Sequence, residues 1–249
     1  MPIAVHYLPQ FIAETELADQ VVVVVDLLRA STTICQALAS GATEVVPCLE
    51  VDETFLKAES YERSHMVMGG ERGGERISGF DLGNSPTEYS PDQVFDRTVL
   101  FTTTNGTRAL AHAKLAKRIL IGAAVNRKAL TTAIASENHI EILCAGTGGN
   151  VTREDVLAAG SIVSQLSPAP EDTNSWAAAA LREWQELEMT AKALNRSTSA
   201  QFAEELRFTQ GGKNLLKLGF DNDLKVCAQL DTLSVVPELD FLTGSIRLS

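Results

Sequence analysis

The sequence predicts a layered α/β/α protein with a largely parallel or mixed sheet and a helical C-terminal part. Three observations carry this. The run Val21–Val25 is continuous rather than alternating, so both faces of that strand are covered, as in a sheet flanked by helices. A strand, a polar loop and a helix follow one another three times in the first two thirds of the chain. Beyond Ser175 the chain turns rich in Ala, Leu and Glu, with apolar residues three or four apart, the pattern of helices with one buried face.

The first strand–loop–helix unit is Val21–Val25, then Asp26–Ser31, then a helix over 32–40, with a strand at Glu44–Val46 after Gly41. The second is Thr98–Phe101, then Thr102–Thr107, then a helix over 108–115, followed by a strand at Arg118–Ile121. The two align at an offset of 74 residues, with Thr33 on Thr107, Ala37 on Ala111 and Val45 on Ile119. Crossovers of this length favour right-handed βαβ units. The third unit is Ile140–Cys144, a loop over 145–150 and a helix over 153–165. Open α/β sheets bind ligands where loops leave the carboxyl ends of strands, which makes these three loops the candidate site.

Residues 69–85 hold six of the 17 glycines and predict a long, shaped loop. Residues 167–175 predict a turn. A helix over 176–194 then packs through Trp176, Ala180, Trp184, Leu187 and Ala191. Shorter helices follow at about 201–207, 213–218 and 221–230. No linker divides the chain, so one domain over 1–249 is expected, with two closely packed lobes, about 1–125 and 126–249, as the variant.

The 249 residues are 45% hydrophobic and 21% charged, enough apolar material for a core and too much for a disordered chain. Lys and Arg total 21 against 32 Asp and Glu, a net charge of -11 that disfavours nucleic acid and anionic membrane as partners. A small anionic substrate remains compatible, because it feels the local field of a cleft. Cys35, Cys48, Cys144 and Cys227 form no C-x-x-C pair and read as buried free thiols of a reducing compartment. The five valines fall far short of the roughly 20 residues that span a bilayer. The expectation is a cytoplasmic protein.

Asp26 ends a buried strand and is followed by Arg29 and Ser31. A carboxylate there can bind a metal or attack a phosphoryl group. It can also cap the next helix, a task that Ser31 fits better. In Thr102–Thr107 four threonines, Asn105 and Gly106 open a helix, and Arg108 adds a positive charge. Exposed N–H groups and several hydroxyls at a helix start make an anion cradle. The glycine-rich segment carries Glu71, Arg72, Glu75 and Arg76. Its arginines can fork onto oxyanions or pair with the neighbouring glutamates at the surface. Thr152 with Asp155 three residues on resembles a capping box, and Asp155 is also a candidate metal ligand.

Several common chemistries are excluded. There is no G-x-x-x-x-G-K-[ST], no G-x-G-x-x-G after a strand and no G-x-S-x-G. A cysteine-phosphatase loop from Cys144 needs Arg at the position of Asn150, and a D-x-D nucleophile motif needs Asp at the position of Leu28. His6, His65, His112 and His139 are scattered, which disfavours a zinc site.

Taken in order, these motifs resemble the 2-phosphosulfolactate phosphatase family, magnesium-dependent phosphatases of coenzyme M biosynthesis. The resemblance runs over nearly the whole chain. It is carried by Asp26-Leu-Leu-Arg-Ala-Ser-Thr-Thr, Gly69-Gly-Glu-Arg-Gly-Gly-Glu-Arg, Gly79-Phe-Asp-Leu-Gly-Asn-Ser-Pro, Thr102-Thr-Thr-Asn-Gly-Thr-Arg and Cys144-Ala-Gly-Thr. Gly211-Gly-Lys-Asn-Leu-Leu and Val235-Val-Pro also fit. Gly148 stands where the family pattern leads one to expect an acidic or larger residue.

The resemblance implies an α/β fold, a Mg2+ cofactor, a homodimer and hydrolysis of 2-phosphosulfolactate to sulfolactate and inorganic phosphate. Joined to the residues above, it makes Asp26, Arg29, Ser31 and Asp155 the catalytic candidates. Asp26, Glu71 and Asp155 become candidate Mg2+ ligands, orienting a water or, for Asp26, attacking directly. Glu71, Arg72, Asn84, Ser85, Thr102, Thr103, Thr104, Asn105, Gly106, Thr107, Arg108, Gly146 and Thr147 become the substrate-binding candidates. The competing readings are a phosphatase for another small phosphorylated hydroxy acid and a non-catalytic binder of anionic metabolites.

Overall fold

A computed structural model describes residues 1–249. The strands are β1 (Ile3–His6), β2 (Val21–Val25), β3 (Glu44–Pro47), β4 (Met66–Arg72), β5 (Glu75–Arg76), β6 (Thr98–Thr102), β7 (Arg118–Gly122), β8 (Ile140–Cys144), β9 (Pro237–Asp240) and β10 (Ser245–Leu248). The helices are α1 (Ala30–Ala39), α2 (Val51–Ala58), α3 (Pro91–Val94), α4 (Gly106–His112), α5 (Arg127–Ala133), α6 (Arg153–Leu166), α7 (Ser175–Ala193), α8 (Thr198–Leu206), α9 (Gln210–Lys217) and α10 (Asp221–Cys227).

The strands form one mixed sheet in the order β1-β8-β2-β7-β9-β10-β3-β6-β4-β5. β1, β8, β2 and β7 pair in parallel, and so do β3, β6 and β4. The β9–β10 hairpin joins these two groups through antiparallel pairings on both sides. Followed through those pairings, the two parallel groups run in opposite senses. The α/β architecture and mixed sheet agree with the pattern of strands and helices in the sequence.

The expected βαβ units do not close on themselves. β2 pairs with β7 and β8, and β3 pairs with β6 and β10. Spacing identified these strands, but spacing carries no information about which distant strand completes each ladder. Val21–Val25 is buried along its whole length, as a continuous apolar strand requires. The glycine-rich segment is a strand at its start rather than a loop. β4 runs through Gly69 and Gly70 because other groups occupy the space their side chains would take. A Cβ on Gly69 would lie 2.1 Å from the Tyr89 hydroxyl, and one on Gly70 would lie 2.0 Å from the Thr102 carbonyl oxygen.

One core holds Val22, Val24, Ile119 and Ile121 from the first group together with Val45, Val67, Val99 and Phe101 from the second. Ile34, Cys35 and Leu38 of α1 and Ala109 and Leu110 of α4 join the same core. These two helices therefore tie the sheet halves together. A second core lies under the C-terminal helices, where Trp184 of α7 meets Phe202 of α8 edge-on at 5.2 Å between centroids. The buried stripe of α7 is Ala177, Ala180, Trp184, Leu187 and Ala191. Trp176 falls just outside it and stacks on Tyr7 at 5.4 Å instead. All four cysteines are free and buried. No helix is long and apolar enough to cross a membrane.

Helices α6 and α7 approach closely at Gly160, where an added Cβ would come within 2.2 Å of the Ala180 carbonyl oxygen. Gly160→Ala forces the two helices apart. It is expected to cost about 2 kcal/mol, the usual scale of overpacking a core, read as a lower urea midpoint. An unchanged midpoint would contradict this packing.

Candidate active site

The site forms where the starts of α1 and α4 meet. Gly106 makes this possible: a Cβ there would lie 2.7 Å from the Ala30 Cβ and 2.9 Å from Asp26 Oδ2. The bare backbone of the third loop residue before Ala109 lets the Thr102–Thr107 loop rest directly on the Asp26 turn. Beside this contact lies a polar cavity of about 160 Å³. Asp26, Leu28 and Arg29 line it from the β2 turn, and Glu71, Gly73 and Gly74 from the β4–β5 turn. Asn84, Thr104, Asn105 and Thr147 come from three further loops, and Gly211, Asn214, Leu215 and Leu218 from α9 and its C-terminal end.

Acidic side chains hold these loops in place by accepting backbone N–H bonds. Glu71 accepts from Gly74 at 2.7 Å and Thr104 at 2.8 Å, joining the β4–β5 turn to the loop after β6. Asp155 accepts from Leu27 and Gly146, both at 2.9 Å, and from the Thr152 hydroxyl at 3.2 Å. It thereby joins the loops after β2 and β8. Glu154 accepts from Gly211 at 2.9 Å and so fixes the start of α9. Its second oxygen, Oε2, is buried without a hydrogen-bond partner, as are Asn84 Oδ1 and Thr104 Oγ1.

These acids share one low-dielectric volume. Burial raises the Asp26 carboxyl, and the Glu71 and Glu154 charges raise it further, against the Ala30 N–H and Arg29, to about 7. Asp155 is pushed well above the ordinary carboxylate range, first by burial and then by the charges of Asp26 and Glu154. Glu154 is raised by burial. Arg29 is the one cationic side chain in the cavity wall. Its Nη1 donates to Asp223 Oδ2 at 2.7 Å and its Nη2 to the Gly74 carbonyl at 2.8 Å.

Residues 6–241 match the family described as 2-phosphosulpholactate phosphatase. A probable 2-phosphosulfolactate phosphatase of Symbiobacterium thermophilum is 40% identical over 236 residues, covering 94% of this chain and 96% of its own. Proteins of the same name from Caldanaerobacter subterraneus subsp. tengcongensis and Clostridium tetani are 34% and 37% identical, over 96% and 91% of this chain and 94% and 92% of theirs. The chain belongs to the 2-phosphosulfolactate phosphatase family. It is therefore a phosphatase, a hydrolase of phosphoric monoesters.

Within this phosphatase, the structure brings together only part of the set expected from sequence. Asp26, Arg29, Glu71, Asn84, Thr104, Asn105 and Thr147 line the cavity. Gly106 lies outside the wall, where an added Cβ would come within 2.9 Å of Asp26 Oδ2. Ser31 neither lines the cavity nor caps α1: its hydroxyl accepts from the Asp26 N–H at 2.9 Å and is buried. Asp155 and Gly146 stand behind the wall, bonded to each other. Ser85 is spent on Asp223 at 2.6 Å.

The four-threonine cradle also divides. Thr102 Oγ1 faces the Leu49 carbonyl and Arg72, and Thr107 Oγ1 donates to the Thr103 carbonyl at 2.8 Å. Thr103 Oγ1 is buried, unpartnered and outside the cavity wall. Arg72 turns outward to the carbonyls of Glu71 and Leu49, and Arg108 is exposed beyond the wall. Two of the three arginines expected around the substrate are thus elsewhere, and the cavity is acidic. The sequence marks the α9 segment as a family motif and as a helix but not as part of the cavity wall, and it marks neither Glu154 nor Asp223, because nothing in local spacing reports an approach to loops more than fifty residues away.

The raised carboxyls set a pH dependence. Each favours the protonated folded state, so its contribution is complete below the ordinary carboxylate range and is lost as pH rises through the folded value. For Asp26 that window runs from 3.8 to about 7. The metal-free protein is expected to lose thermal stability between about pH 4 and pH 7, the interval between the ordinary and the raised Asp26 values, with a shallower fall for Asp26→Asn. A melting temperature that rises over this interval in the wild type would contradict the burial of these charges.

Proposed function

We propose that this protein is a Mg2+-dependent phosphatase that hydrolyses 2-phosphosulfolactate to sulfolactate and inorganic phosphate. The observation that carries the reading is the imbalance of the cavity: Asp26 and Glu71 face a single arginine. A substrate bearing phosphate, carboxylate and sulfonate meets repulsion from Glu71 and from Asp26 once Asp26 is ionised, and a cation held between them would remove that cost. The names of the relatives supply the substrate.

The donors present fit Mg2+. No three acidic, histidine or cysteine side chains converge into a complete cage. Mg2+ does not need one, since it is commonly held by one or two carboxylates, several waters and substrate phosphate. Asp26 and Glu71 in the wall, with the unpartnered Asn84 Oδ1, are the oxygen donors that would hold it. Asp155, with both oxygens engaged, supports these ligands from behind. Bound Mg2+ would neutralise the phosphate charge and polarise the phosphorus–oxygen bond.

The chain's own residues do the rest. The Arg29 guanidinium binds an anionic group of the substrate. Thr104 Oγ1, buried and unpartnered, is free to donate to a second oxyanion. Leu28, Leu215 and Leu218 give the cavity its apolar lining. The four free, buried cysteines suit a cytoplasmic enzyme, and the net charge of -11 disfavours polyanions as partners.

Phosphate release from 2-phosphosulfolactate, phospholactate and phosphoglycolate, with Mg2+ or with EDTA, tests the proposal. We expect 2-phosphosulfolactate to be the best substrate and EDTA to abolish release. Asp26→Asn should lower kcat/KM by about 10³-fold, the scale of losing a charge-stabilising group at the reacting centre. Near-normal turnover of Asp26→Asn, or equal rates in EDTA, would contradict the assignment; binding without any phosphate release would favour a metabolite binder.

A further inference from the structure

Arg29 carries the only positive charge in the cavity wall, yet nothing in its own loop fixes its direction. What fixes it comes from the C-terminal helical part. Asp223 of α10 is buried, with its side chain 3% exposed, and pairs with the 2%-exposed Arg29 side chain at 2.7 Å. The Phe220 ring lies under the guanidinium, 4.4 Å from its carbon to the ring centroid. The Gly74 carbonyl takes Nη2 at 2.8 Å. Asp223 is itself anchored, since its other oxygen accepts from Ser85 Oγ at 2.6 Å, and that hydroxyl also meets Thr87 Oγ1 at 2.8 Å.

We infer that Asp223 and Phe220 are positioning residues that aim the Arg29 guanidinium at the substrate's anionic group. A guanidinium has five N–H donors in a rigid plane. Asp223 and Gly74 each take one hydrogen from a different terminal nitrogen, and the Phe220 face fixes the tilt of the plane. The remaining donors are then presented in one orientation. Asp223 lies outside the cavity wall, and both its oxygens are engaged. It acts on substrate only through Arg29. This assigns a task to α10, whose Asp223 lies 194 residues along the chain from Arg29 and acts on the site from behind.

The inference rests on the proposed phosphatase reading, and its test separates the two. Asp223→Asn keeps an oxygen for Ser85 and removes the charge that holds Arg29; Phe220→Leu removes the ring and keeps the pair. Each is measured alone and combined with Arg29→Lys, in the presence of Mg2+, by steady-state kinetics with 2-phosphosulfolactate and by calorimetric binding of inorganic phosphate. Melting temperatures establish that each variant is folded.

We expect each single variant to raise KM and weaken phosphate binding by roughly 10-fold or more, with a smaller change in kcat, as for the loss of a binding group's alignment. On the Arg29→Lys background neither should add a further loss. Folded variants with unchanged phosphate affinity would overturn the inference, and so would losses that multiply in full with Arg29→Lys. If Asp223→Asn does not fold, Phe220→Leu decides by the same criteria. A wild type that binds phosphate but does not turn over 2-phosphosulfolactate overturns the substrate reading alone, while the phosphate affinities still judge the positioning of Arg29.

Discussion

The mutual repulsion of Asp26, Glu71, Glu154 and Asp155 is the constraint around which this protein is arranged. Carboxylates placed this close in a low-dielectric interior are costly unless they are hydrogen-bonded, protonated or matched by a cation. The fold uses the first device three times. Glu71, Glu154 and Asp155 each accept backbone N–H bonds from loops that belong to other elements. The same bonds that lower the cost of burial also join the loops after β2, β4, β6 and β8 and the start of α9. Asp26, which no such bond joins to another element, remains to face the cavity.

Close backbone approach makes that convergence possible. The Thr102–Thr107 loop can lie on the Asp26 turn only because position 106 has no side chain. β4 can pass beside Tyr89 and Thr102 only because positions 69 and 70 have none. Helices α1 and α4, buried in a core shared by both halves of the sheet, keep the strand ends of opposite halves in register with each other. Packing, backbone hydrogen bonding and site chemistry are therefore one arrangement, and a change in any of these glycines reaches the carboxylates.

Much of this was legible in the sequence, and the boundary of what was legible has a physical meaning. Val21–Val25, Ile140–Cys144 and the helix after Arg153 are local patterns, set by burial on one or two faces, and they stand in the structure where the residues placed them. Asp26, Arg29 and Glu71 were marked by their position at strand ends and in a glycine-rich turn. Partnership was not legible. Arg72 and Arg108 carry the right chemistry in the right loops, but side-chain direction sends them outward. Ser31 looked like a helix cap and instead holds the Asp26 N–H. The Gly69–Gly70 strand was hidden because glycine argues locally for a loop, while its reason here is the distant Tyr89 and Thr102. The role of Asp223 depends on a contact across nearly the whole chain, which no spacing encodes.

The central claim is the proposal that Asp26 and Glu71 would receive a divalent cation in place of the proton held by Asp26. Calorimetric titration of Mg2+ into the wild-type protein, in buffers of different ionisation enthalpy across pH 6 to 8 (roughly one unit either side of the raised Asp26 value), tests it directly. The account predicts proton release on binding, and an affinity that strengthens as pH rises towards and past about 7. A Mg2+ affinity that is independent of pH, with no proton released, would contradict it.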